Sequence, residues 1–413
     1  MKNFEPRPLG VHEKVFWILD QKANLHFAIA AEIDGQAPIA DWRNALNMVQ
    51  QRHPNLSAFI TGNQYSNAKI QHVGCCPIPM RVVKQAAGAN WNAELEKEMD
   101  TPFNLHVAPL VRTILIEQPG KSIFIFVSNH TIADGMSIAL VIRDVLTVLE
   151  GNVLNNLNAI PSIDEILSVP VKPVAPNKDF DAISQAPIGP RPPVSINRLQ
   201  LSAQATQKLI AASKLHNTSV HGALTAACIF AGRQLSKKWQ ENTVRILHPI
   251  SLRKALQLGD DYGLLFNSVI ESYNPTPDVL FWDLAHTAKQ GIDTVKTLEY
   301  TKGMLESTSE IFYQGIDLDT IYDVLGQAFE HDLLLTNLTQ IPYDTNFGSL
   351  TLKALWGPVV IAPMPGAQTL GVSTVDGSMT LTLTSHTPLK GFLEAVENII
   401  IGACHKGESL VIC

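Results

Sequence analysis

Hydrophobic and polar positions alternate along this chain in two distinct periods, and the changes between them mark out successive elements. His12 to Leu19 mixes apolar and charged residues at helical spacing, and Leu25 to Ile33 then alternates as a strand does. A helix is predicted over Ala40 to Val49. Trp42, Ala45, Leu46 and Val49 fall on one face, Asp41 is the expected N-cap, and Pro54 lies beyond the end. Strands are predicted at Ser57 to Thr61 and Leu110 to Glu117. Ser122 to Ser128 is almost entirely apolar and rich in β-branched and aromatic residues, the pattern of a strand buried on both faces. Asn129 to Gly135 then forms a loop, and Met136 to Leu149 returns to the helical period.

From Pro161 to Pro193 prolines recur, in VPVKPVAPNKDF and QAPIGPRPPV, and no period lasts long enough to build an element. Residues 161–195 are therefore expected to be a linker between an N-terminal lobe, 1–160, and a C-terminal lobe, 196–413. Helices are predicted at Ser202 to Leu215, Ser219 to Leu235 and Phe281 to Leu298, with a strand at Val244 to Ile250. Ser349 to Leu355, Gly371 to Val375 and Met379 to Thr384 read as strands, the last two joined by a hairpin turn at Asp376-Gly377-Ser378. Leu389 to Ile401 reads as a closing helix. Both lobes are mixed α/β.

Composition sharpens this picture. At 413 residues the chain exceeds one ordinary core and suits two lobes of roughly 200 residues. Apolar residues make up 46% and charged residues 17%, so the interior is ample. The net charge is -7, with both signs interspersed, which argues against a nucleic-acid partner. Five cysteines, Cys75, Cys76, Cys228, Cys404 and Cys413, show no C-x-x-C spacing, so neither a metal site nor a redox pair is expected. The N-terminus lacks a secretory pattern, and no stretch reaches the roughly 18 apolar residues of a membrane span. A cytoplasmic location is the expectation.

Candidate chemistry concentrates in Asn129-His130-Thr131-Ile132-Ala133-Asp134-Gly135, a loop between a buried strand and a helix. A neutral imidazole at His130 can take a proton from an alcohol or amine as that group attacks a carbonyl, with the substrate itself as nucleophile. Asp134, at a loop-helix junction, can accept backbone hydrogen bonds or pair with an arginine. Gly135 is expected to relieve the turn through backbone angles closed to other residues. The string also admits a satisfied histidine and a capping aspartate without chemistry.

His130-Thr131-Ile132-Ala133-Asp134-Gly135 resembles the H-x-x-x-D-G motif of the superfamily that holds condensation domains, BAHD acyltransferases, alcohol acetyltransferases and polyketide-associated acyltransferases. Other segments agree in order. Arg52-His53-Pro54-Asn55-Leu56 resembles R-H-P-x-L, Pro102 to Leu105 with Pro109 to Arg112 resembles P-F-D-L…P-L-x-R, and Thr218 to Leu224 resembles the helix opening of the second lobe. His248-Pro249-Ile250-Ser251-Leu252-Arg253 is similar to the N-L-R segment, whose arginine commonly pairs with the motif aspartate. Asn129 stands where many condensation domains carry a first histidine, and Asn346-Phe347-Gly348-Ser349 departs from the plant D-F-G-W signature. Both departures favour the ester-forming, polyketide-associated or alcohol acetyltransferase branches.

The resemblance implies two chloramphenicol-acetyltransferase-like lobes around a central tunnel, where a thioester and an acceptor meet at the histidine. It implies an acyltransferase moving groups other than aminoacyl groups to a hydroxyl or amine, in lipid or polyketide and secondary metabolism. His130, Asp134 and Gly135 would be the catalytic positions, Arg253 the structural partner of Asp134, and Asn337 of Thr336-Asn337 a possible oxyanion stabiliser or else a turn residue. No permanent cofactor or metal is implied. Acyl-CoA or a phosphopantetheinyl acyl carrier would be the co-substrate, and an acyl carrier protein a possible partner.

Further candidates carry competing readings. Arg233, Lys237 and Lys238 could meet the phosphates of coenzyme A or form a solvated helix face. His221, three residues into a helix, reads as structural. Two rival functions stand: a non-catalytic carrier-protein docking module, and a serine hydrolase using Ser137 in Gly135-Met136-Ser137-Ile138-Ala139, which partly resembles a nucleophile elbow.

Overall fold

A computed structural model describes residues 5–62, 67–74, 76–170, 192–313 and 317–406. Two six-stranded mixed sheets form its frame. In the first, the order is Asn346–Phe347, Leu350–Val360, His26–Asp34, Lys121–Asn129, Val111–Gln118 and Met80–Lys84. The apolar run predicted at Ser122 to Ser128 lies inside this sheet, buried along almost its whole length, between antiparallel neighbours on both sides. Its register places Asn129 opposite His26, so the strand ends where the His130 loop begins.

Helices Ile39–Arg52 and Gly135–Leu149 pack together with the first sheet and bury Trp42, Leu46, Ile138 and Val145. Asp41 is not the N-cap: Pro38 occupies that position, and Asp41 is an exposed first-turn carboxylate, where the helix dipole favours it. On the sheet's other side, Leu95 and Met99 of the helix Asn92–Met99 join Ala354 and Trp356 in a separate apolar cluster.

The second sheet runs Phe266–Tyr273, Val244–Ser251, Leu333–Gln340, Gln368–Val375, Ser378–Ser385 and Ser195–Leu201. Helices Val220–Leu235, Phe281–Thr294 and Phe392–Lys406 cover it with a core of their own. At the expected hairpin, Asp376 and Gly377 both have positive φ, 46° and 74°, as a type I′ turn requires. The helix expected to reach Leu298 stops at Thr294. Val295 turns inward onto Ile250 and Ile292, and its carbonyl accepts from Asn267 Nδ2 at 3.2 Å, so it cannot continue the helical ladder. A second helix, Leu298–Tyr313, follows.

Two organisational expectations need correction. The linker expected at 161–195 contains a short helix, Ile163–Ile166, in which Ser162 caps Glu165 N; residues 171–191 lie outside the described residues, as do Cys75 and Cys413. The boundary at 196 does not divide the sheets either. Leu350–Val360 returns to pair antiparallel with His26–Asp34, because Leu350, Leu352 and Leu355 fill the first core.

Candidate active site

Strand geometry delivers His130 to a cavity of about 230 Å³ between the sheets. The loop is pinned at several points. His130 N donates to Leu25 O at 2.8 Å, and Asn129 Oδ1 accepts from Thr131 N at 3.0 Å. Asn129 Nδ2 donates to Asp20 Oδ1 at 3.2 Å, an oxygen that also accepts from Leu25 N at 2.7 Å. Burial pushes the Asp20 carboxyl up to about 7.

The His130 ring is held by one hydrogen bond and three aromatic neighbours. Nδ1 lies 2.9 Å from Ala133 O; a carbonyl only accepts, so Nδ1 carries the proton and Nε2 the lone pair. Phe27, Phe16 and Phe266 pack around the ring with centroids 4.4, 4.6 and 5.6 Å away. Burial pushes its pKa down to about 4, which keeps the ring neutral near pH 7. A fixed tautomer and a neutral ring leave Nε2 able to accept a proton from an alcohol or amine, while the apolar enclosure lowers its basicity.

Asp134 lies at the cavity wall, but its carboxylate is committed to structural contacts. It caps the helix Gly135–Leu149 by accepting from Ser137 N at 2.7 Å, and its other oxygen accepts from Leu265 N at 3.1 Å. Arg253 Nη2 donates to Asp134 Oδ1 at 3.1 Å while Nη1 holds the carbonyls of Gly259 and Asp261 at 3.2 and 2.7 Å. Both side chains are buried. The His130 loop is thus tied to a loop running out of the second sheet.

Ser137 belongs to the same knot, which overturns its reading as a nucleophile. Its Oγ accepts from Arg253 Nη2 at 2.8 Å and from Gly263 N at 3.1 Å, and lies 2.8 Å from Asp134 Oδ1 and 2.9 Å from Gly263 O. It is fully buried and is not part of the cavity wall. A hydroxyl so encased has no approach to a substrate carbonyl.

Gly135 also differs from expectation. It is the first residue of its helix and has no positive φ. The constraint is space: a Cβ there would sit 2.8 Å from Pro358 Cγ and 3.1 Å from Leu338 Cδ2, both cavity-wall residues. Asn337 lines the cavity too. Its Oδ1 accepts from Thr339 N at 2.7 Å and supports a bulge in which Thr339 takes φ 62°, so Nδ2 is the atom it can offer a ligand.

The remaining candidates lie elsewhere. Arg233 is buried and donates to the carbonyls of Tyr273 and Asn274 at 3.1 and 2.7 Å, so it is not a free phosphate ligand. Lys238 pairs with Asp332 at 2.8 Å and Lys237 with Glu241 at 3.5 Å. His221, on the helix Val220–Leu235, bonds His248 of the strand Val244–Ser251 at 2.9 Å. Sequence reading missed the three phenylalanines around His130, together with Asp20 and a second cavity histidine, His331. Phe16 and Asp20 lie one turn apart on the helix Val11–Asp20, but Phe27, Phe266 and His331 come from separate segments that no local spacing connects to it.

With this geometry established, the likenesses to other proteins fall into place. Residues 190–257 match the family described as the phthiocerol/phthiodiolone dimycocerosyl transferase C-terminus. A stretch of 154 residues, 35% of this chain, is 29% identical to one component of the linear gramicidin synthase of Brevibacillus parabrevis, and covers only 2% of that protein's length. Among solved structures, the condensation domain of the monacolin K polyketide synthase MokA superposes over 100% of both chains with a TM-score of 0.70 at 14% identity. Polyketide synthase associated protein 5 from Mycobacterium tuberculosis gives 0.68 over 97% of this chain and 98% of its own, at 15% identity. The first condensation domain of the CDA synthetase gives 0.69 over 100% and 98%, at 12%. The chain carries the two-lobed, chloramphenicol-acetyltransferase-like fold that these condensation domains and polyketide synthase associated protein 5 have.

Proposed function

We propose that the protein transfers an acyl group from a thioester, either acyl-CoA or an acyl group on a phosphopantetheinyl carrier, to a hydroxyl or amine, with His130 as general base. The observation that carries this reading is the His130 ring itself: Nδ1 is committed to Ala133 O and Nε2 is left for the cavity. In the proposed step, Nε2 takes the acceptor's proton as its oxygen or nitrogen attacks the thioester carbonyl. The oxyanion that develops receives a hydrogen bond from Asn337 Nδ2. As the C–S bond breaks, the proton on Nε2 passes to the departing thiolate, and His130 returns to its neutral state.

Arg253 and Asp134 act by holding the loop, and Gly135 by leaving room beside Pro358. Supporting the thioester donor is the likeness to condensation domains of polyketide and peptide synthases. Ester formation is favoured by the match to the dimycocerosyl transferase C-terminus.

The test is thiol release from a panel of acyl-CoA and acyl-carrier thioesters, with and without alcohol and amine acceptors. Wild type should release thiol in an acceptor-dependent way, and a folded His130→Ala variant should be slower by roughly 10²–10⁴-fold. Equal rates in the two proteins would remove the base assignment.

A further inference from the structure

One carboxylate oxygen lies at the centre of the contacts that fix the His130 loop. Asp20 Oδ1 accepts from Leu25 N at 2.7 Å and from Asn129 Nδ2 at 3.2 Å. Each donor residue passes the restraint on by one further bond. Leu25 O accepts from His130 N at 2.8 Å, and Asn129 Oδ1 accepts from Thr131 N at 3.0 Å. The backbone on both sides of the His130 side chain is therefore referred to a single atom. Phe16, one turn earlier on the helix Val11–Asp20, packs on the His130 ring with centroids 4.6 Å apart. One helix end thus bears on both the backbone and the ring of His130.

Asp20 is poorly placed for the stability of its own helix. It is the last residue of Val11–Asp20, where the negative end of the helix dipole disfavours a carboxylate, and burial pushes its carboxyl up to about 7. Among the described residues no cation pairs with it; the neighbouring Lys22 pairs with Asp319. A carboxylate that opposes local stability in this way is the pattern of a functional position. A proton on Oδ2 would leave Oδ1 accepting both bonds, so the clamp needs an oxygen at this point and does not need the charge.

We propose that Asp20 is a positioning residue for the transfer step: through Leu25 and Asn129 it holds the His130 backbone where Nε2 meets the acceptor. This rests on His130 being the base. The contact between His130 Nδ1 and Ala133 O lies within the loop itself, so loss of Asp20 displaces the ring without changing its tautomer.

The test compares Asp20→Ala, Asp20→Asn and Asn129→Ala with wild type in thiol release from acyl-CoA, at a temperature where each variant is fully folded. Asp20→Ala should lose about 10–100-fold, chiefly in kcat and much less in KM, because a small misplacement of a reacting group costs rate. Asp20→Asn, which keeps an acceptor oxygen, should recover most of that loss. Hydrogen exchange adds a readout that needs no turnover. The His130 and Thr131 amides should exchange at least about tenfold faster in Asp20→Ala, while those of the remote helix Phe392–Lys406 keep their protection. The imidazole ¹⁵N shifts of His130 should still report a proton on Nδ1.

If Asp20→Ala does not fold, Asn129→Ala, which removes one of the two donors, decides by the same measurements. Wild-type kcat in a folded Asp20→Ala, an Asp20→Asn as slow as Asp20→Ala, or unchanged exchange at His130 and Thr131 would overturn the proposal. So would a kcat that merely follows melting temperature across the variants. Full activity in His130→Ala, or no thiol release by wild type from any donor, would instead count against the transferase reading, with the exchange rates still judging the clamp.

Discussion

At the scale of single residues, the decisive features of the site are tautomers and spaces. With its pKa pushed down to about 4, His130 is neutral across the ordinary range, with its lone pair free and its basicity lowered. The acid limb of kcat/KM for the free enzyme is expected near pH 4, not near the pKa of about 6.5 of an ordinary histidine; an acid limb near 6.5 in a pH-rate profile would mean that the ring is solvated during turnover. Gly135→Ala makes a second residue-scale prediction. The added methyl overlaps Pro358 and Leu338, so the cavity narrows at the reacting end. Steady-state kinetics should show KM rising most for bulky acceptors, with the melting temperature changing less than for a fully buried core substitution. His130, Asp134 and Arg253 were legible in the sequence because they sit in motif-like strings. The aromatic enclosure of His130 was not, since Phe27 and Phe266 reach it from strands of different sheets.

At the scale of elements, the junction of the His130 loop with the helix Gly135–Leu149 is held by one buried carboxylate-guanidinium knot. Removing Arg253 leaves Asp134 buried with an uncompensated charge, a loss expected to cost about 3–5 kcal/mol. Arg253→Met should therefore lower the denaturant midpoint strongly. Asp134→Asn removes the charge but keeps a capping side chain, and should cost less. Equal midpoints for the two variants would show that the ion pair contributes little to the loop. The same comparison explains which elements were readable beforehand. Lys121–Asn129 is apolar on both faces and declares itself, whereas Phe266–Tyr273, with sequence FNSVIESY, carries polar residues on a partly buried strand and shows no clean period. The strand Leu333–Gln340 likewise went unpredicted, because its polar Thr336 and Asn337 line a cavity while Leu333 and Leu335 join a core.

Across the whole molecule, buried histidines couple the fold to pH. His12, His26, His72, His130 and His221 are each pushed down to about 4, chiefly by burial, and His248 is held well below its ordinary value. The unfolded chain binds protons at these rings as pH falls through about 6.5, while the folded chain resists until about 4, so stability declines through that window. Asp20 acts in the opposite sense: its carboxyl, pushed up to about 7, is protonated in the fold before it would be in the unfolded chain, which adds stability as pH falls from 7 towards 3.8. The histidines outweigh it and leave a net loss. Urea midpoints should fall steadily between pH 7 and 4, and a midpoint that rose instead would place water around most of these rings.

The return of Leu350–Val360 to the first sheet bears on how such a protein can be divided. A fragment ending before the proline-rich stretch would carry His130, but it would also bare the side of His26–Asp34 that this strand covers. An open row of backbone donors and acceptors beside a hydrophobic core invites pairing with another chain. Any split or recombined version of this scaffold must therefore supply residues 346–360 to the N-terminal piece, because the working unit of the first lobe is spatial and its parts are widely separated along the chain.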